Sequence, residues 1–279
     1  MLEIIRAGLF DTIQDLGRFG LRSLGVAVSG AMHKKAFAQA NARLGNHPND
    51  AALEIGQIGG VYRFHTPTIF TLSGAAKEAR LNGLTLSSGP VHRAKAGDEL
   101  FIGRSTEGVY TYMAVKGGFQ TECILNSRSM HPSLFEHPRL QKGQQLAYDS
   151  HEHFEPNSFS ETPLDGAGEE FVLEAQRGPE FHFLLQPNLI AQLKFKVADF
   201  NRMGYRLLPS THLKKSTESI SSCAVFPGIV QLTPSGECIV LHRDAQVSGG
   251  YPRILVLSDE SLDRLAGCSR DQSVKLLLR

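Results

Sequence analysis

The chain has 279 residues, 41% of them hydrophobic, with 29 basic against 28 acidic side chains and a formal net charge of +1. That much apolar material supports a real core and excludes disorder as the ground state, and the balanced charge excludes a broad basic face for nucleic acid or anionic lipid. Electrostatic work must therefore be done by local clusters. Cys123, Cys223, Cys238 and Cys268 are scattered with no C-x-x-C pair, which disfavours a zinc or redox motif. Reduced, mostly buried thiols are expected, with pairing of Cys223 and Cys238 across a hairpin left open.

In chain order, Met1–Arg6 reads as a short strand with an acid inside it, and no signal peptide is visible. No apolar run approaches the roughly 20 residues that span a bilayer, so a soluble cytoplasmic protein with no membrane partner is expected. Residues 11–33 have almost no helical or strand period and carry Gly17, Gly20, Gly25 and Gly30, the composition of a shaped loop. A helix is predicted from Met32 to Leu44, where apolar Met32, Ala36, Phe37, Ala40 and Leu44 lie near a helical period and Gly45 ends it. Strands are predicted at Val61–His65, Thr68–Leu72, Leu100–Gly103, Tyr110–Val115, Phe171–Ala175, Cys238–His242 and Arg253–Leu257, each rich in β-branched or aromatic residues and closed by turn formers. A second short helix is expected over Asp259–Ala266, before Gly267. Many short strands with few helices favour a mainly β chain of barrel or sandwich type over an α/β fold. The stretch from Asp149 to Glu169 is poor in aliphatics and rich in breakers, so the chain is divided into an N-terminal part over 1–150, a linker or long surface loop over 151–170 and a C-terminal part over 171–279.

Two polar, glycine-laden clusters carry the candidate chemistry. In the first, Gln14 offers a two-sided amide, Arg18 and Arg22 offer planar donors for a carboxylate or phosphate, and Ser29 offers a hydroxyl ahead of the first helix, whose free N–H groups would favour an anion. The plainer alternative is that Asp15 pairs with Arg18 or Arg22 to hold the loop and Ser29 caps the helix. In the second cluster, residues 241–252, Asp244 is placed to orient or deprotonate a nucleophile and Gln246 to bond a carboxylate or amide, against the alternative that Asp244 caps a turn. Arg202, in the run Asn201-Arg202-Met203-Gly204-Tyr205-Arg206 after Phe200, can complete an anion pocket or be an ordinary surface arginine. Lys116-Gly117-Gly118 has neither the spacing nor the following Ser or Thr of a phosphate loop. Among eleven histidines, His131, His137, His151 and His153 invite a metal, but no H-E-x-x-H occurs and His151-Glu152-His153 falls in the expected linker, so no metal site is assigned.

Both clusters carry a resemblance. Thr12, Gln14, Asp15, Gly17, Arg18, Gly20, Arg22, Gly25, Val26, Ser29, Gly30, Ala31 and Met32 follow the signature of the biotin-dependent carboxyltransferase-like family, the group of KipA, allophanate-hydrolase subunit 2 and the 5-oxoprolinase C subunit. Ala40-Asn41, Gly45-Asn46, Ala52-Leu53-Glu54, Arg177-Gly178-Pro179-Glu180, Asn201 to Leu207, Pro227 to Gln231, Asp244-Ala245-Gln246 and Gly249 to Pro252 continue in the family's order. The chain departs from it at His33, where the family places an aspartate, and over Met130–Arg139, where the family has a glycine-rich segment. The resemblance implies two cyclophilin-like β-barrel domains in a fold class where strands can be exchanged between barrels, with Asp244 and Gln246 as catalytic candidates and Gln14, Arg18, Ser29 and Arg202 as substrate-binding candidates. It further implies the C subunit of an ATP-dependent 5-oxoprolinase-like complex that opens 5-oxoproline to glutamate, working with a KipI-like B subunit, together with a LamB/YcsF-like A subunit. No cofactor is assigned to this chain; ATP enters at the level of the complex, and the chain is expected to be inactive alone. The alternatives are a biotin-dependent carboxyltransferase chain acting on urea or another amide with a biotinylated carrier, and a KipA-like regulator binding a KipI-like kinase inhibitor.

Overall fold

In the computed structural model the chain divides into two units, one of Met1–Arg18 and Ser29–Gly166 and the other of Phe19–Val28 and Ala167–Arg279. The structure describes residues 1–153, 170–216, 218 and 220–279. The expected linker over 151–170 lies almost wholly outside the described residues.

The first unit runs β1 (Leu2–Arg6), β2 (Asp11–Gln14), α1 (Lys34–Arg43), β3 (Ala52–Ile55), β4 (Val61–Phe64), β5 (Thr68–Leu81), β6 (Leu84–Leu86), β7 (Val91–Ala94), β8 (Glu99–Val115) and β9 (Gln145–Leu146). These form one nine-stranded sheet ordered β2-β3-β8-β4-β1-β9, with β5 pairing β6, β7 and β8. The strands expected separately at Leu100–Gly103 and Tyr110–Val115 are one continuous β8, because the polar stretch between them pairs with the far half of β5. That ribbon shifts register at Gly74, Ala76 and Lys77, the bulges that let two long strands bend around a core. The core gathers Leu2, Ile4, Leu53, Ile55, Phe64, Phe70, Leu100, Ile102, Met113 and Val115, all fully or nearly fully buried.

The second unit runs β10 (Glu170–Arg177), β11 (Lys194–Asn201), β12 (Gly204–Pro209), β13 (Cys223–Ala224), β14 (Ile229–Leu232), β15 (Cys238–Leu241), β16 (Ser248–Gly249), β17 (Arg253–Leu257), α2 (Asp259–Gly267) and β18 (Ser273–Leu278). Seven strands close in the order β10-β17-β14-β15-β12-β11-β18, with β18 running parallel to β10. Closure leaves no strand edge in the barrel, and period-two alternation sends Phe171 and Leu173, Phe195 and Val197, Tyr205 and Leu207, and Val274 and Leu276 inward. The molecule is thus mainly β, with two barrel-like units and, among the described residues, two α-helices. No described helix is long and apolar enough to cross a membrane. All four cysteines are free; Cys238 and Cys268 are buried, and burial pushes the Cys238 thiol up to about 12, whereas Cys123 is exposed.

Candidate functional site

In the first unit the candidates lie in a buried polar network. Asp15 accepts from the Ser127 and Ser129 hydroxyls at 2.7 and 2.6 Å and from the Gly17 and Arg128 backbone N–H groups at 2.8 and 2.7 Å. It holds the loop as one sequence alternative expected, but through hydroxyls and amides rather than through Arg18 or Arg22. Arg18, itself buried, donates from Nη2 to the Ser129 carbonyl at 2.5 Å and from Nε to Ile124 at 3.4 Å. Gln14 donates to Thr12 Oγ1 at 3.1 Å and to the Met130 carbonyl at 3.2 Å, and the Ser29 hydroxyl donates to that same carbonyl at 3.5 Å. Three candidates thus converge on the segment 124–130, and all three are buried.

The start of α1 differs from expectation. Ser29 does not cap it: Ser29 sits at φ 61° and the cap is His33, whose Nδ1 accepts from the Ala36 N–H at 3.3 Å. The residue that departs from the family pattern thus supplies an N-terminal acceptor of its own. The N–H groups just ahead of the helix are taken within the protein: Glu54 Oε2 on β3 accepts from the Met32 N–H at 2.8 Å and from Tyr112 Oη at 2.7 Å, while the His33 N–H donates to Tyr112 Oη at 2.8 Å. The signal for Glu54 in the sequence is a carboxylate inside the wholly buried strand Ala-Leu-Glu-Ile.

Lys116 is likewise structural, donating to the Leu44 carbonyl at 2.8 Å and to Gly45 at 3.2 Å at the C-terminal end of α1. A group that the sequence reading misses is formed by Asp11, Tyr62 and Lys77. Asp11 accepts from Tyr62 Oη and from the Gly8 N–H, both at 2.7 Å, and Lys77 donates to the carbonyls of Gly56 and Val109. Burial pushes the Lys77 amine down to about 7, opposed by the charge of Asp11, and burial also raises the Asp11 carboxyl above its usual range.

In the second unit the hairpin β11–β12 turns at Arg202-Met203, where Asn201 Oδ1 accepts from the Met203 and Gly204 N–H groups at 2.8 and 3.3 Å. The stretch Asn201–Arg206 is therefore a tight turn and the start of a strand rather than a longer loop. Arg202 forms a two-pronged ion pair with Asp244, Nε to Oδ2 at 2.7 Å and Nη2 to Oδ1 at 2.9 Å, and each side chain is only 4% exposed. Its carbonyl also accepts the Asp244 N–H at 2.9 Å, so backbone and side chain both tie the hairpin to the segment after β15. On the other side Arg243 grips Asp259 at 2.7 Å and Asp263 at 3.0 Å on α2. His242 accepts the Arg243 N–H on Nδ1, which leaves Nε2 to donate to the Leu262 carbonyl at 3.1 Å.

Beside this clamp opens a cleft of about 460 Å³. Asn201 and Met203, on either side of Arg202, line it together with Gln246, Gly249, Gly250 and Tyr251. Asp199, Arg206 and Gln231 add polar groups, and Phe200, Ile239 and Leu241 an apolar wall. A Cβ on Gly249 would lie 2.7 Å from Gln231 Nε2, so that amide would have to shift to admit one. Amide donors and acceptors beside an apolar wall suit a small polar molecule with a hydrocarbon ring or edge. Of the sequence candidates, the second unit thus joins Arg202 to Asp244 and exposes Gln246 in the cleft, while Gln14, Arg18 and Ser29 gather in the first unit.

The sequence matches the carboxyltransferase domain, subdomain A and B, family over residues 24–277, and the chain belongs to that family. It is 33% identical to the 5-oxoprolinase C subunit of Escherichia coli K12, over 95% of this chain and 87% of that protein. It is 32% identical to the 5-oxoprolinase C subunit of Haemophilus influenzae, over 99% and 90%. Urea amidolyase of Lachancea kluyveri is 35% identical over 46% of this chain, a match that covers 7% of that protein. Among solved structures, the Kluyveromyces lactis urea amidolyase superposes with a TM-score of 0.89 at 23% identity, over 99% of this chain and 18% of that one, a likeness of fold. A structure called TTHA0988 superposes with a TM-score of 0.86 at 26% identity over 99% of this chain; this chain spans 56% of its length.

Proposed function

We propose that this chain is the C subunit of a 5-oxoprolinase-like assembly, opening the lactam of 5-oxoproline to glutamate at the expense of ATP, with a KipI-like and a LamB/YcsF-like chain supplying the remaining parts. The observation that carries the reading is length. The match to the Escherichia coli 5-oxoprolinase chain extends over 95% of this chain and 87% of the relative, whereas a urea amidolyase match covers 46% and 7%. The geometry of the second unit agrees with a small cyclic amide. In lactam opening the C–N bond breaks, water supplies the new C–O bond, and its remaining proton goes to nitrogen; hydrolysis of ATP drives the exchange.

Gln246, exposed in the cleft, donates to or accepts from the amide of the substrate. Asp244 holds both oxygens on Arg202, so its role is to position: it fixes Arg202 and the turn whose Asn201 and Met203 line the cleft. Of the two roles that its motif position suggests, orienting or deprotonating, this reading takes the orienting one for Asp244. Gln14, Arg18 and Ser29 shape the segment 124–130 of the first unit from behind its surface rather than touching substrate.

Co-expression with the two partner chains tests the reading. The expected result is a stable assembly that releases glutamate from 5-oxoproline only when ATP is present, with this chain inactive alone. Carboxylation of urea with a biotinylated carrier, or a stable complex with the KipI-like chain that turns over nothing, would replace it with one of the other two family roles.

A further inference from the structure

Of the arginines in or beside the two motif clusters, Arg18 is engaged with backbone carbonyls, Arg202 with Asp244, Arg243 with Asp259 and Asp263, and Arg253 with Glu180. Arg22 is different. The residue is half-buried, but both terminal nitrogens of its guanidinium are shut from solvent and, among the described residues, have no hydrogen-bond partner, carboxylate or aromatic ring paired with them. A guanidinium stays charged at any pH a protein experiences, so a fork in this state lacks the anion that would offset its lost hydration. The surrounding backbone is built to a fixed shape. Arg22 opens a short 3₁₀ turn, Arg22–Leu24, closed by the Gly25 N–H donating to the Arg22 carbonyl at 3.0 Å, and Gly25, like Gly20, takes a φ of 81° that favours glycine. Both glycines face open space, since a Cβ on either would meet nothing within 4 Å, so conformation and not crowding fixes them as glycine.

We infer that Arg22 is the anion anchor of the chain and receives the carboxylate of a small substrate in a two-pronged contact. One cation with two parallel N–H donors matches a singly charged, planar carboxylate; a phosphate dianion would call for a second cation or a cradle of backbone N–H groups. The identity of the ligand rests on the 5-oxoproline reading, since 5-oxoproline carries a carboxylate on its ring and urea carries none.

The test is calorimetric binding to the full chain of four probes: 5-oxoproline, its uncharged parent lactam 2-pyrrolidinone, glutarate and inorganic phosphate. The wild type is expected to bind 5-oxoproline at least tenfold more tightly than 2-pyrrolidinone, and Arg22→Met to erase that difference while leaving 2-pyrrolidinone unchanged. Arg22→Lys, which keeps the charge and loses the fork, should fall between and guards against a folding defect in the Met variant. Equal affinity of wild type and Arg22→Met for 5-oxoproline overturns the inference, as does Arg22-dependent binding of phosphate with none of the carboxylates, or no binding of any carboxylate. Arg22-dependent binding of glutarate without binding or turnover of 5-oxoproline keeps the anion anchor and removes the oxoprolinase reading. Undiminished 5-oxoproline opening by an assembly carrying Arg22→Met does the reverse.

Discussion

Replacing Asp244 by Asn keeps the shape of the side chain and removes its charge, leaving Arg202 facing a neutral amide in a place where its side chain is only 4% exposed. Arginine does not shed its proton, so the charge stays buried without its counter-ion. Breaking a buried pair from one side costs about 3–5 kcal/mol, much of it the penalty on the surviving charge. Removing both charges with apolar residues of similar size, Arg202→Met with Asp244→Leu, should recover most of that loss. Arg202→Met alone, Asp244→Leu alone and the double variant therefore form a cycle with the wild type, with an expected coupling of about 2–3 kcal/mol. The chain has no tryptophan and forms two units, so a single fluorescence melt would not isolate the clamp. Hydrogen exchange read on peptides spanning 199–209 and 238–250 reports it locally, because the Asp244 N–H donates to the Arg202 carbonyl and the Met203 N–H to Asn201 Oδ1. Additivity within about 0.5 kcal/mol, or an Asp244→Asn variant with unchanged protection in these peptides, would refute the clamp.

Two further outcomes follow from the first unit. The Lys77 amine is held at about 7 in the folded chain against 10.5 in the unfolded one, so between those values the unfolded chain binds a proton that the folded chain lacks. Stability should therefore rise as pH increases from about 7 towards 10.5, by a term on the order of 3 kcal/mol, and Lys77→Met should lose this term; urea titrations at pH 7 and pH 9.5 with parallel wild-type and variant values would contradict it. His33→Ala, which removes the acceptor at the start of α1, should cost about 1 kcal/mol, and His33→Asp should restore or exceed the wild type in the same titration; equal losses for both variants would show that His33 does not act as the cap.

Strand character was legible wherever alternation was local. Val61–Phe64, Cys238–Leu241 and Arg253–Leu257 appear close to where their side chains place them, and both helices appear with ends set by His33 and Ser258. Pairing partners far along the chain were not legible: Arg104 to Gly108 reads as a polar break, yet it continues β8 because β5 lies beside it. The same limit governs the sites. Motif residues Gln14, Arg18 and Ser29 are recognisable as a group, but nothing local reveals that their donors are taken by carbonyls more than 100 positions away. The Met32 N–H, just ahead of α1, meets the Glu54 carboxylate, 22 residues further along the chain. Asp244 and Arg202 stand 42 positions apart, and only closure of β15 on β12 brings them into one ion pair.

The central claim is that the cleft beside this clamp receives the lactam, and Gln246 tests it most directly, being exposed and outside the core. The measurement is the steady-state rate of ATP-dependent glutamate formation from 5-oxoproline by the three-chain assembly carrying Gln246→Ala. The account predicts an intact assembly with kcat/KM lowered at least about tenfold, the loss of one or two hydrogen bonds to substrate. Wild-type kcat/KM in an intact variant assembly would contradict it.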